Sequence, residues 1–391
     1  MKKYIFFVVG VMCTLLSHTA YAIDLNKSDA NIIGHVLEKK TGEHLPYMTV
    51  ALKGTTIGTM TDGTGHYFLK NLPEGEFILS VSAVGYKPQE RKVTLKRGKT
   101  LEENFELEED MVALDGVVVT ANRNETARRL APTLVKVVTP KLFDMTNSHT
   151  LSQGLVFQPG VRVENDCQNC GYSQVRINGM DGKYTQILID SRPIFSALAG
   201  VYGLEQIPAN MIERVEVVRG GGSALFGSSA IAGTVNIITK EPLRNSGSFA
   251  HSISNFDGSG SFDNNTTLNL SLVSSDNKMG AYIYGQNRHR SAWDSNGDSF
   301  SELPKLKNQT VGVNAYYRLS PYSKLNLEYH HMEEFRRGGN RFDLPPHIAE
   351  DANLNGSGEP GLVEQIEHSI NTGGLKFSAF SKDQKHAFNA Y

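Results

Sequence analysis

The sequence lacks an excess of charge of either sign, and beyond its first residues it lacks any long apolar run. Its 39 basic and 41 acidic residues leave a formal net charge of -2. Nucleic-acid binding requires a strongly basic face that neutralises phosphates, so no nucleic acid partner is expected. A membrane-spanning helix needs about 18 or more consecutive apolar residues, which the later sequence does not contain, whereas the alternating strands of a barrel remain possible.

The start of the chain has the pattern of a cleaved signal peptide. Two lysines are followed by an apolar run over residues 4–16 and by Ala-Tyr-Ala at residues 20–22. The apolar run is shorter than the roughly 20 residues that would span a bilayer. We therefore expect residues 1–22 to be removed and the mature chain to be exported.

Cysteine is scarce, and only Cys167 and Cys170 remain after that cleavage. In an exported protein such a pair most simply forms a disulfide. A redox pair, half of a metal site or a contact with the ligand are the alternatives. A zinc site would need two further ligands, and the neighbouring sequence supplies neither, so no metal and no cofactor are expected.

The segment 31–108 consists of short alternating apolar runs separated by turn signals about every ten residues, which is typical of a β-sandwich. Its glycines and turns, among them Gly34, Thr61-Asp62-Gly63 and Pro73-Glu74-Gly75, resemble those of the carboxypeptidase-regulatory-like domain. The segment contains no set of residues that could cleave a peptide. The resemblance therefore implies a small sandwich and not a peptidase.

A short valine-rich segment, Leu-Asp-Gly-Val-Val-Val-Thr-Ala at residues 114–121, follows the sandwich. Three consecutive β-branched residues without a helix cap favour an extended strand. A strand with free edges can add to the sheet of a partner protein. The alternative is a last strand of the sandwich, because periodicity alone does not separate the two.

The segment 126–241 carries a series of motifs in a fixed order. They are ILID at residues 187–190, IERVEVVRG at 212–220, LFG at 225–227 and AGTVNIITK at 232–240. In this order they resemble the plug domain of TonB-dependent outer-membrane receptors, a compact mixed α/β unit. The sequence departs from the family at Asn178, where arginine is common, and at Ser191, Gly221 and Phe226.

The segment 242–391 changes to strands of about ten residues that alternate in polarity, the pattern of a transmembrane β-barrel. Leu268, Leu270 and Leu272 share one face, and Leu325 and Leu327 share another. We count about seven strands, whereas a barrel that holds a plug needs about 22. The barrel is therefore expected to be incomplete by about 300 residues, as in a fragment or an interrupted gene.

The predicted fold is mainly β: a sandwich, an α/β plug and the first strands of a membrane barrel. The resemblance implies a linker over residues 109–125 that contains the TonB box, the strand which TonB binds. The box residues are Asp115, Val117, Val118, Val119, Thr120 and Ala121. It further implies the outer membrane as the location, with lipid around the barrel and the sandwich in the periplasm.

By the same resemblance, the activity is import driven by TonB with the ExbB-ExbD complex of the inner membrane. The ligand is expected to be a small metal chelate, an iron-siderophore or haem. Cobalamin or an oligosaccharide is the alternative within the same mechanism. A surface binding protein without transport and a ligand sensor are the alternatives from other classes.

Three charged residues of the plug, Arg214, Glu216 and Arg219, alternate with valines along one predicted strand. Inside a barrel they would form partly buried ion pairs that hold the plug, since a buried charge without a partner is costly. On an exposed face they would be ordinary solvated charges. We predict that they are plug–barrel contacts.

Two other motifs are incomplete. Gly222 and Gly227 have the spacing of the two glycines in a phosphate-binding loop. Ser228 stands where the lysine of that loop is required, so nucleotide binding is not expected. The calcium-loop patterns that start at Asp294 and Asp351 lack the glutamate at the twelfth position. No nucleophile, carboxylate pair or complete metal site can be assembled, so we do not expect an enzyme.

Overall fold

The computed structural model describes most of the chain, in the following ranges: 30–83, 85–109, 118–119, 126–127, 135–167, 172–193, 207–222, 226–342, 344–381 and 386–390. The predicted signal peptide lies outside these ranges. Within them, no helix has both the length and the apolar character needed to cross a bilayer.

The first unit is a sandwich of two four-stranded sheets. Its strands are β1 (Ala30–Glu38), β2 (Thr49–Leu52), β3 (Gly58–Met60), β4 (His66–Leu72), β5 (Gly75–Ser82), β6 (Gln89–Leu95), β7 (Thr100–Glu102) and β8 (Phe105–Leu107). One sheet has the order β4-β1-β7 with β8 also on β1, and the other has the order β3-β2-β5-β6. Alternate residues such as Val50, Leu69 and Leu79 are fully buried between the sheets. This burial of one face per strand is what the alternating sequence predicts.

A two-stranded ladder follows the sandwich. It pairs β9 (Val118–Val119) with β10 (Thr126–Ala127) in antiparallel orientation. The predicted extended conformation is thus present at Val118 and Val119 of the predicted TonB box.

The second unit is the mixed α/β segment. Its elements are β11 (Val135–Val138), α1 (Pro140–Met145), α2 (Leu151–Leu155), β12 (Val161–Cys167), β13 (Tyr172–Ile177), β14 (Thr185–Ile189), β15 (Arg192–Pro193), β16 (Ile212–Arg219) and β17 (Gly233–Thr239). Two 3-10 turns, Gly182–Tyr184 and Ala209–Met211, precede β14 and β16. A five-stranded sheet has the order β11-β16-β17-β14-β15, while β12 and β13 form a separate hairpin. Strands β14 and β17 are parallel and the others antiparallel.

Both faces of β16 and β17 are largely buried, which places these strands at the centre of the unit. Val215, Val217, Val235 and Ile237 are fully buried in one cluster. A strand buried on both faces reads as a near-continuous apolar run, which is the pattern of the VNII segment in β17. The first helix starts with proline at its first turn, where the missing N–H costs nothing.

The third unit is one antiparallel sheet of seven consecutive strands. Its elements are β18 (Ser246–Asn255), β19 (Phe262–Val273), β20 (Met279–Arg290), β21 (Lys305–Ser320), β22 (Ser323–Gly339), α3 (Pro346–Ala349), β23 (Val363–Phe380) and β24 (Ala387–Ala390). The predicted count of about seven strands is confirmed.

The polarity of this sheet is the inverse of that in a water-soluble protein. Leu268 and Leu327 on the outer face are 56% and 50% exposed, whereas Asn265, Arg288 and Asn314 on the inner face are buried. An apolar outer face with a polar inner face is the arrangement that a strand needs when lipid surrounds it. The leucines predicted to share a face in β19 do share the outer one.

The two edges of the sheet differ in the length of their connections. Residues 274–278 and 321–322 make short turns at one edge. The other edge carries a six-residue connection at 256–261 and two long connections at 291–304 and 340–362. In outer-membrane barrels the short turns face the periplasm and the long loops face outward.

The sandwich contacts the short-turn edge of the seven-stranded sheet, which is called the barrel sheet below. The Thr56 N–H donates to the Pro321 carbonyl at 2.9 Å. Tyr322, in the same turn, packs against the apolar core of the sandwich. The Arg244 guanidinium lies over the Tyr47 ring, 4.5 Å from its centroid. The sandwich is therefore attached to the barrel sheet by one hydrogen bond, one apolar contact and one cation–π contact among others.

Replacing Tyr47 with alanine should weaken this attachment by about 1 kcal/mol, the value of a partly exposed cation–π contact. The expected result is faster proteolytic release of the sandwich from the membrane-embedded part, measured by limited trypsin digestion of the full chain. Tyr47→Phe keeps the ring and should behave as the unchanged protein. Equal release rates for both variants would contradict the assigned contact.

Candidate functional site

The candidate site is the interface between the α/β unit and the inner face of the barrel sheet. Tyr282 and Tyr284 of β20 point into the apolar core of the α/β unit and are almost fully buried there. The Tyr282 hydroxyl donates to the Asn210 carbonyl at 2.9 Å. The two units therefore share one core, and the α/β unit cannot leave without exposing two aromatic rings.

Polar contacts surround this shared core. The Asn210 side-chain amide donates to Asn269 Oδ1 at 2.9 Å and to the Gly285 carbonyl at 3.2 Å. The Asn314 amide donates to Thr239 Oγ1 at 2.6 Å. Each such bond contributes only about 0.5–1.5 kcal/mol net, because water satisfies the same groups once they separate. The interface is thus suited to reversible separation.

One ion pair crosses the interface between Arg192 of β15 and Glu328 of β22. Glu328 also shares a hydrogen bond with the Asp190 carboxyl. Asp190 accepts further bonds from the Thr239 backbone N–H at 3.1 Å and from its hydroxyl at 2.6 Å. Burial raises the pKa of Asp190, while the bonds from Thr239 oppose that shift. Arg192 therefore supplies the positive charge between two carboxyl groups.

Gly374 of β23 makes room for this ion pair. It stands opposite Glu328 in the register of β22 and β23. A Cβ atom at position 374 would overlap the Arg192 guanidinium. A side chain at position 374 would therefore require the arginine to move from its place beside Glu328.

A second ion pair joins the end of the α/β unit to strand β22. The Lys324 ammonium lies 3.1 Å from the Glu241 carboxylate. The Lys324 charge lowers the pKa of Glu241, and a hydrogen bond from the same ammonium adds to the effect. The pair lies at the short-turn edge of the barrel sheet, close to the first residues of β22.

The three charged residues predicted as contacts lie on β16. The Arg214 Nε donates to Glu216 Oε1 at 3.0 Å along the same strand, and Glu216 is fully buried. The Arg219 guanidinium lies against Gly160, just before β12. The structure brings Arg214 and Glu216 together. That the three side chains hold the barrel stays a prediction.

A cavity of about 280 Å³ opens beside the β12–β13 hairpin. Arg162, Glu164 and Arg176 line it. Arg176 forms ion pairs with Glu164 and, at 3.1 Å, with Asp181. Arg162 also pairs with Glu164, at 2.7 Å. Two guanidinium groups with their carboxylate partners make this a polar concave site, and arginine binds carboxylates and phosphates through paired donors.

Two of the predicted site motifs are only partly described. Val118 and Val119 form β9, whereas the other box residues, Asp115, Val117, Thr120 and Ala121, lie outside the described ranges. Cys167 ends β12 and Cys170 lies outside those ranges. The disulfide therefore stays a prediction.

Comparison with protein families matches two successive domain models. Residues 32–119 match the CarboxypepD_reg-like domain and residues 127–234 match the TonB-dependent receptor plug domain. The chain carries a TonB-dependent receptor plug domain. The α/β unit described above is this plug, and the sandwich ahead of it is the CarboxypepD_reg-like domain, as the sequence motifs predicted.

Curated relatives of the plug-containing chain include transporters. It is 32% identical over 229 residues to the vitamin B12 transporter BtuB of Vibrio vulnificus, covering 51% of this chain and 37% of that protein. It is 37% identical over 128 residues to the BtuB of Photobacterium profundum, covering 32% of this chain and 20% of that protein. The chain thus spans less than two fifths of the length of these relatives.

Solved structures share the fold of the plug and the barrel strands. The siderophore receptor PirA of Acinetobacter baumannii superimposes with a TM-score of 0.54 at 22% identity, covering 67% of this chain and 39% of that one. FpvA of Pseudomonas aeruginosa, bound to a ferric pyoverdine, superimposes with a TM-score of 0.52 at 15% identity, covering 71% and 37%. At these identities the likeness establishes the fold alone.

Sequence reasoning missed the residues that join plug and barrel. Asn314 and Glu328 occupy inward positions of alternating strands, so a polar residue there is a usable signal. Arg192 and Asn210 carry no such signal, because they lie in a two-residue strand and a 3-10 turn, which are too short for a period. Their partners depend on how the plug is oriented inside the sheet, which periodicity does not encode.

One group of carboxylates on a long loop gathers possible cation ligands. Oxygens of Asp294, Asp298 and Glu302 all lie within 4.8 Å of one another. Asp294 already accepts backbone N–H bonds from Gly297 and Ser299, both at 2.7 Å. The sequence pattern identified Asp294 and Asp298 but not Glu302, which stands at the ninth position of the same loop pattern.

Proposed function

We propose that the chain is part of a TonB-dependent importer that carries a scarce metal chelate across the outer membrane. The observation that carries this proposal is the shared core of plug and barrel, in which Tyr282 and Tyr284 of the barrel sheet complete the plug core. A plug that covers the inner face of the strands blocks passive diffusion of solutes through the barrel. Uptake then requires that the plug be rearranged.

The energy for that rearrangement comes from outside the outer membrane, which has neither ATP nor a sustained potential. TonB and the ExbB-ExbD complex supply it from the inner-membrane potential, worth about 2.3 kcal/mol per charge per 100 mV. TonB adds as a strand to residues 115–121 on the periplasmic side. The extended conformation of β9 supports this mode of binding.

The barrel lies in the outer membrane with the sandwich on its periplasmic side. The contact between Thr56 and the short turn at Pro321 supports this placement, since short turns face the periplasm. The proposed mechanism needs no catalytic group. The chain binds, holds and releases its ligand.

The ligand class is a metal chelate, an iron-siderophore or haem in the first place. Cobalamin is the second candidate, and the two BtuB relatives favour it. Both classes are large, polar and scarce. The paired guanidinium groups at the plug cavity support binding of such ligands, whose carboxylates or phosphates they would contact.

A test of import compares labelled ferric siderophores, haem and cyanocobalamin in cells that express the complete gene and lack their own receptors. We expect one chelate to accumulate only when TonB is present, with the empty-vector strain as the control. A plug-bearing barrel also resists unfolding in detergent, so the product should migrate faster in gels before heating than after. Equal accumulation with and without TonB would refute energised import, and migration insensitive to heat would favour a binding protein without a barrel.

A further inference from the structure

Three histidines of the sandwich form a cluster at its surface. His35 lies on β1, and His66 lies directly opposite on β4. His44 lies in the turn between β1 and β2. The ring centroids are 5.2 Å apart for His35 and His44, 5.7 Å for His35 and His66, and 4.9 Å for His44 and His66. All three rings are therefore mutual neighbours.

These separations match those of three imidazoles around one metal ion. Zinc binds imidazole nitrogen at about 2.0–2.1 Å in tetrahedral geometry, which places the ring centroids of two ligands roughly 5 Å apart. The ring spacing therefore suits a three-histidine site. Strand pairing fixes the spacing of His35 and His66, because cross-strand neighbours have Cβ atoms about 4.5–5.5 Å apart.

The hydrogen bonds around His66 leave one of its ring nitrogens available to a metal. The Thr64 hydroxyl donates its proton to Asp62 Oδ1 at 2.7 Å, so its oxygen can only accept from His66 Nδ1, which lies 3.1 Å away. His66 is thus the tautomer with a proton on Nδ1 and a bare lone pair on Nε2. Metal-binding histidines are oriented in this manner by an outer acceptor.

The turn that carries His44 is held close to β4 by Gly65. This glycine has φ of 76°, and a Cβ atom there would lie 2.8 Å from the His44 Cβ. The Asp62 carboxylate is held by the Thr64 hydroxyl and by the backbone N–H groups of Thr64 and His66. These bonds fix the turn that carries Thr64, whose hydroxyl oxygen is the acceptor for His66.

We propose that His35, His44 and His66 bind a transition-metal ion of the zinc class on the surface of the sandwich. Imidazole ligands select zinc, copper or nickel, and three protein ligands leave one position for water or a further ligand. Within the described ranges, only the Asp294 group has its donor atoms already gathered within 4.8 Å. Closing the histidine site therefore requires rotation of the rings, which the exposed side chains of His44 and His66 permit.

This site is separate from the plug–barrel interface and goes beyond the proposed import. Bound metal would fix the turn 39–48 to β1 and β4. The adjacent Tyr47 contacts Arg244 at the start of the barrel sheet. Metal occupancy would thereby act on the attachment of the sandwich.

The test measures Zn²⁺ binding to the full chain, refolded in detergent, by isothermal titration calorimetry. Three variants are compared with the unchanged protein: His66→Ala, Thr64→Val and His347→Ala, the last an exposed histidine on α3 as the matched control. We expect His66→Ala to lose one equivalent of Zn²⁺ and His347→Ala to lose none. Thr64→Val should weaken binding about tenfold, because loss of an outer acceptor typically costs 10–100-fold in affinity.

A second readout uses Co²⁺ in place of Zn²⁺. Tetrahedral binding should give intense visible absorption bands that are absent in His66→Ala and present in His347→Ala. Folding of each variant is checked by circular dichroism. Equal stoichiometry and affinity for His66→Ala and the unchanged protein, or equal losses in His66→Ala and His347→Ala, would overturn the proposal.

Discussion

Deleting residues 117–121 is expected to abolish uptake and to leave binding of the external ligand unchanged. The deletion removes the strand that TonB would bind, whereas the proposed ligand would contact the opposite side of the plug. The measurement is accumulation of labelled ligand by whole cells, together with equilibrium binding to the same cells when energy is depleted. Normal growth on the scarce ligand after this deletion would refute the coupling role of the segment.

A point substitution makes the same test sharper. Strand addition depends on backbone N–H groups, so Val118→Pro, which removes one donor, should reduce uptake strongly. Val118→Thr keeps the β-branched shape and the backbone N–H and should retain most of the uptake. If both substitutions reduced uptake equally, side-chain contacts rather than strand pairing would be the basis of recognition.

Removing the Arg192 side chain should lower the free energy of plug unfolding by about 3 kcal/mol. This is the lower end for breaking a buried ion pair, since the Arg192 side chain is 27% exposed and that of Glu328 is 12% exposed. Without the arginine, Glu328 and Asp190 are two adjoining carboxyls that lack a cation. The expected result is a lower urea midpoint for plug unfolding in the refolded receptor, followed by hydrogen exchange of β14 and β17.

Neighbouring glycines of β23 offer a matched pair of variants for the same contact. Gly374→Ala should displace the Arg192 guanidinium and reproduce most of the Arg192→Ala effect. Gly373→Ala, one residue earlier, places its Cβ atom at an ordinary 3.5 Å from the Glu328 carbonyl and should change little. A double-mutant cycle with Glu328→Gln isolates the pairwise energy. Additive effects of Arg192→Ala and Glu328→Gln would contradict a direct ion pair.

The regular parts of the fold were predictable because each depends on a local period. Alternation of two along β19 places Leu268 and Leu270 on the outer face, and the observed exposure follows. Turn signals every ten residues mark the strands of the sandwich. The motifs around β16 and β17 identified the central sheet of the plug. In each case the decisive interaction, burial of one face, is visible in neighbouring residues.

The contacts between units could not be predicted in the same way. Arg192 and Glu328 lie far apart in the sequence, and their pairing depends on the rotation of the plug within the sheet and on the absence of a side chain at Gly374. By contrast, the bond between Arg214 and Glu216 is local, since residues two apart in a strand share a face. A periodic pattern determines which face a charge occupies, and tertiary packing determines which partner it meets.

Attachment of the sandwich to the short-turn edge of the barrel sheet at Pro321 limits how far the plug can move. If the sandwich keeps its place on the short-turn edge during a transport cycle, the plug is tied at its start by the chain between Glu109 and the first plug strand. At its end it is tied by residues 240–245, which join β17 to β18. The 25 residues from 110 to 134 reach at most about 90 Å when fully extended. A plug that is pulled toward the periplasm would therefore stay attached to its own barrel. It would remain close enough to the barrel lumen to return there after transport.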